Sequence, residues 1–74
     1  MAVSIRINGK PETAEAPSTV SAILEERRIR PEVVLVQVNG ARLASAEFGT
    51  REVEDGDVVD ILLQLAGGAA GYAA

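Results

Sequence analysis

The 74-residue chain contains no cysteine, no histidine and no tryptophan, and its only aromatic side chains are Phe48 and Tyr72. Without cysteine or histidine there are no thiolate nucleophiles, no imidazole acid–base catalysis, no disulfides and few zinc-site patterns. Any chemistry falls to carboxylates, hydroxyls or the backbone. Positive charge is scarce as well: 7 Lys and Arg stand against 11 Asp and Glu, for a net charge of −4. Nucleic-acid binding relies on Lys and Arg to release counterions and on aromatic platforms to stack bases, so nucleic acid is not an expected partner. No apolar run approaches the roughly 20 residues of a membrane span, and residues 1–6 lack the apolar stretch of a secretory leader. The expected location is the cytoplasm, with no membrane partner. Length sets a further limit, because one small domain cannot spare the roughly 300 Å³ of an enclosed ligand pocket. A self-contained enzyme is therefore not expected. Nor is a metal site, since Asp55-Gly56-Asp57 offers too few oxygen donors for a calcium loop.

What the chain does contain is regular patterning. Val3-Ser4-Ile5-Arg6-Ile7-Asn8 alternates apolar and polar residues, the mark of a half-buried strand, and Asn8-Gly9 supplies the positive-φ pair of a tight hairpin. The return strand runs from Lys10 or Pro11 to Ala16, with Pro11, Glu12 and Glu15 marking a sheet edge. Ser18 or Thr19 caps a helix of about three turns, in which Val20, Ile23 and Leu24 share one face. Glu26 and Arg30 are spaced for a helical ion pair, and Pro31 ends the helix.

Residues 33–39 form an almost wholly apolar inner strand with Val34, Val36 and Val38 toward the core. It ends at a second Asn-Gly pair, Asn39-Gly40, and Arg42-Leu43 is a short partner strand. Phe48 and Val53 are isolated apolar anchors in an irregular stretch, Glu54-Asp55-Gly56-Asp57 is a turn, and residues 58–65 form the last strand. Alternation sends Val59, Ile61 and Leu63 inward, and Val58 and Leu62 outward with Val33 and Leu35, leaving an aliphatic patch suited to docking. Glu52, Glu54, Asp57 and Asp60 are read as an acidic surface beside it. The pattern as a whole predicts an α+β domain over residues 1–66, with a mixed sheet of about four to five strands packed on one helix. Residues 67–74 form an expected flexible tail, rich in Ala and Gly, that carries Gly67-Gly68.

Val36-Gln37-Val38-Asn39-Gly40, the Glu54–Asp57 turn, the strand Val58-Val59-Asp60-Ile61-Leu62 and the downstream Ala66-Gly67-Gly68 together resemble the ThiS/MoaD sulfur-carrier family. Thr19-Val20 and Glu47 beside Phe48 favour its ThiS-like branch. This resemblance implies a ubiquitin-like β-grasp fold and a carrier that is not itself an enzyme. It also implies that Gly68 is adenylated by an E1-like adenylyltransferase, which uses MgATP while the carrier binds no cofactor. A persulfide sulfurtransferase would then convert Gly68 to a thiocarboxylate, and a synthase such as a thiazole synthase would accept the sulfur for thiamin thiazole or a related metabolite. Val58, Leu62, Leu65 and Ala66 are the candidate docking residues.

Members of that family normally end at the diglycine, whereas Ala69-Ala70-Gly71-Tyr72-Ala73-Ala74 follows here. The extension is read as a pro-segment cut between Gly68 and Ala69 by a JAMM-type zinc protease, as a cloning remnant or as a degradation signal. Two other functions share the pattern. One is a ubiquitin-like modifier conjugated through Gly68, and the other is an interaction module whose tail is never processed.

Overall fold

A computed structural model describes residues 1–63. Strand β1 (Ala2–Ile7) turns at Asn8-Gly9 into β2 (Lys10–Glu15), and helix α1 (Val20–Glu26) follows. Beyond a 3-10 turn at Pro31–Val33 come β3 (Val34–Val38) and β4 (Ala41–Leu43), then a second 3-10 turn at Ser45–Glu47 and finally β5 (Val58–Leu63). The strands lie in the order β2-β1-β5-β3-β4, with the last strand in the middle. β1 and β5 run parallel, and the other neighbours are antiparallel. This is the ubiquitin-like β-grasp arrangement, a mixed five-stranded sheet with one helix.

Both Asn-Gly pairs form tight hairpin turns with positive φ, 52° and 83° at Asn8-Gly9 and 55° and 85° at Asn39-Gly40. Two left-handed residues in succession match the right-handed twist of the flanking strands, which is why asparagine and glycine occupy them. The core is aliphatic: Ile5 and Ile7 of β1, Val34, Val36 and Val38 of β3, and Val59 and Ile61 of β5 meet Val20, Ile23 and Leu24 of α1. Phe48 and Val53 are buried with them, as their isolated positions in the irregular stretch predict. Backbone bonds from Ser21 N to Phe48 O and from Val53 N to Ser18 O tie that stretch to the start of the helix.

The helix departs from expectation. Of the two candidates, Ser18 and Thr19, it is Thr19 that caps it, its hydroxyl accepting from Ala22 N at 3.1 Å, but the helix spans about two turns rather than three. Arg28 takes φ of 59°, Ile29 N bonds back to Leu24 O, and Arg28 N bonds to Glu25 O. These bonds form the left-handed termination normally built on glycine. They turn Ile29 against the core, a gain in burial that outweighs the strain at Arg28. The expected Glu26–Arg30 pair is absent because Arg30 lies beyond the helix, where it faces Glu32 at 3.6 Å.

Candidate functional site

β5 is the element that leads toward the diglycine, so what holds it decides how the C-terminal end is presented. Its entry is fixed by Asp57, a buried carboxylate. Glu54 N donates to Asp57 Oδ2 at 2.8 Å, the Arg51 guanidinium to the same oxygen at 3.2 Å, and the Asn39 carboxamide to Oδ1 at 3.0 Å. Burial alone would raise this carboxyl, but the Glu54 amide, the Asn39 carboxamide and the Arg51 charge together hold it below its ordinary value of 3.8. Asp57 is therefore a structural hub and not part of an exposed acidic surface. Glu52 and Glu54 remain exposed, while Asp60 is half-buried within β5.

The two turn asparagines reach β5 from opposite sides, which their reading as turn signals alone does not reveal. Asn39 Oδ1 accepts from Val58 N at 2.9 Å, and Asn39 N donates to Val58 O at 2.7 Å. Asn8 Oδ1 accepts from Ile61 N at 2.7 Å, and Asn8 N donates to Val59 O at 2.9 Å. The Glu54–Asp57 turn is itself tied to β1, with Ser4 N donating to Asp55 Oδ1 at 2.7 Å and Gly56 N to Ser4 O at 2.7 Å.

On the face of the sheet away from α1, Val58 and Leu62 are exposed at 37% and 50%. Leu35 lies directly opposite Leu62 in the β3–β5 register and is half-buried, so the aliphatic patch exists with these three members. Asp60 sits between Val58 and Leu62 on the strand, opposite Gln37. Val33 does not join them. It belongs to the 3-10 turn before β3 and packs against the core. Leu63 has the inward parity but is 66% exposed, opposite Val34, the first residue of β3. Leu65, Ala66, Gly67, Gly68 and Ala69 lie outside the described residues. Among the described residues, no three His, Cys, Asp or Glu side chains gather into a metal-binding group, and no helix is long and apolar enough to cross a membrane.

The model of the ThiS family matches residues 5–68, from β1 through the second glycine. The chain belongs to the ThiS family. In fold, this ThiS-family chain is similar to the crystal structure of a thiamine biosynthesis protein (ThiS) from Geobacter metallireducens. Identity is 32% and the TM-score is 0.75, with 89% of this chain and 100% of that one covered. A solution NMR structure of a thiamine biosynthesis protein from the same organism matches at 32% identity and a TM-score of 0.69, covering 89% and 88%. No curated protein matches the chain.

Proposed function

We propose that this ThiS-family chain is a sulfur carrier for thiamin biosynthesis, acting through Gly68. The observation that carries the reading is the extent of the family match, which runs from Ile5 in β1 to Gly68. Residues 69–74 lie beyond that match, and in this reading a JAMM-type zinc protease removes them. Once freed, the Gly68 carboxylate attacks the α-phosphate of MgATP on an E1-like adenylyltransferase and expels pyrophosphate. A persulfide sulfur then displaces AMP, and thiol cleavage of the resulting S–S bond leaves a thiocarboxylate for a thiazole synthase. From Leu63 to Gly68 an extended chain spans at most about 17 Å, long enough to enter a recessed site while the folded domain stays outside. Glycine suits that passage because it has no Cβ to clash in a narrow channel. The exposed patch of Val58 and Leu62 is the docking surface of this reading, continued along the chain by Leu65 and Ala66.

Intact mass spectrometry of the protein from its own host tests the proposal. A species ending at Gly68 and carrying one extra sulfur is the expected result. Conjugates of high mass would favour a ubiquitin-like modifier joined through Gly68, whereas the unaltered 74-residue mass alone would favour an unprocessed interaction module. Substitution of Gly68 by a bulky residue abolishes pyrophosphate release by the activating enzyme. Unchanged release would remove Gly68 from the reaction.

A further inference from the structure

β5 has unequal support on its two sides. β3 accompanies it from Val38↔Val59 to Val34↔Leu63. β1 pairs with it only at Arg6↔Val58 and Ile7↔Val59, and then turns back at Asn8-Gly9 into β2, which lies on the side of β1 away from β5. From Asp60 onward β1 offers no strand partner, and the Asn8 carboxamide stands in its place. Its oxygen accepts the Ile61 N–H at 2.7 Å, across 53 residues of sequence. The turn itself does not require this side chain, since glycine adopts the φ of 52° at Asn8 at least as readily. The amide oxygen therefore has a purpose separate from the hairpin, and it acts on the part of β5 that β1 does not reach.

We propose that Asn8 is a positioning residue for loading of Gly68: by holding Ile61 where β1 has turned away, it fixes where the chain stands at Leu63 and so what the activating enzyme meets. This rests on the carrier reading above. An end of β5 that is already ordered loses less conformational freedom on binding, so the effect of Asn8 falls on capture of the carrier rather than on the chemical step.

Asn8→Gly isolates the carboxamide because it preserves the positive-φ turn, and Asn8→Asp restores an acceptor oxygen. Amide hydrogen exchange on the full chain reads the anchor. ATP-dependent pyrophosphate release, using the chain ended at Gly68 and the E1-like enzyme of the same host, reads its consequence; this form keeps every described residue. Thr19→Ala, which loses a helix cap remote from β5, is the control for general destabilisation. Asn8→Gly speeds exchange at Ile61 and raises KM for the carrier about 3- to 10-fold, the worth of one hydrogen bond, with kcat nearly unchanged. Asn8→Asp returns KM close to wild type, and Thr19→Ala leaves it unchanged. Unaltered exchange at Ile61, an unaltered KM in Asn8→Gly, or an equal rise in Thr19→Ala would overturn the proposal while leaving the carrier reading intact. A wild-type chain ended at Gly68 that releases no pyrophosphate would instead strike the carrier reading, and this inference with it.

Discussion

Val59 lies between β1 and β3, and Val58 between β1 and the Asn39 turn, whereas Leu62 and Leu63 have β3 alone as a strand partner among the described residues. The first half of β5 is bonded to both turn asparagines and follows the Asp57 hub. Among the described residues, the second half has a single side-chain anchor, at Ile61. Burial follows the same division: Val59 is wholly enclosed, while Leu62 and Leu63 are among the most exposed large apolar residues. One strand thus combines a rigid root with an open end. That combination suits an element that must hold the domain together at one end and offer its continuation to another protein at the other.

Deleting packing at the root is the harshest way to test this contrast. Val59→Ala removes two methyl groups from a site enclosed by α1 and both neighbouring strands, and is expected to cost about 2–3 kcal/mol of stability once the cavity is included. Leu62→Ala removes more carbon but from a half-solvated site, at an expected cost below about 1 kcal/mol. Urea denaturation of the two variants measures the difference, and equal losses would mean that β5 is supported evenly.

A smaller effect is expected at Asp57. In Asp57→Asn one carboxylate oxygen becomes a donor, facing either the Asn39 carboxamide NH2 or Arg51 and the Glu54 amide, a mismatch worth about 1–3 kcal/mol at neutral pH. The pH dependence carries a definite sign. Because the folded carboxyl lies below its ordinary value of 3.8, its contribution is complete above that value and disappears as pH falls through the lower folded one. The stability gap between wild type and Asp57→Asn therefore narrows as pH drops below 3.8. A gap that stays constant down to strongly acid pH would show that Asp57 stabilises the root without its charge.

Much of this architecture is legible in the sequence, because alternation and turn chemistry are local signals. The strands, the Thr19 cap, both hairpins and the core positions of Val34, Val36, Val38, Phe48 and Val53 all follow from residues within a few places of one another. Contacts between distant segments are not legible in that way. Asn8 and Ile61 are separated by 53 residues, and Asn39 and Asp57 by 18, so an Asn-Gly pair announces its turn and conceals its second task. The Glu-Glu-Arg-Arg run reads as continuing helix, and the packing of half-buried Ile29 against the core, a contact its neighbours in sequence do not announce, favours the turn at Arg28. Leu63 exposes a similar limit. Alternation assigns a side chain to a face of the sheet, but whether anything covers that face depends on where the opposing layer and the neighbouring strand stop.

The gentlest perturbation in stability is the most informative about function. Leu62→Asp places a charge on the open face, beside Asp60 on the same strand and opposite half-buried Leu35. A side chain already half in water can keep its carboxylate hydrated, so the expected change in folding stability is within about 0.5–1 kcal/mol. Docking by the aliphatic patch has the opposite requirement, because a partner that covers Val58 and Leu62 must strip water from the new charge. Affinity for the activating enzyme should then fall by more than about tenfold, since desolvating an unpaired charge costs several kcal/mol. Calorimetric titration of the folded variant separates the two effects. Wild-type affinity with a normally folded Leu62→Asp would place the docking surface elsewhere on the domain, and the open end of β5 would then serve only to carry the chain onward.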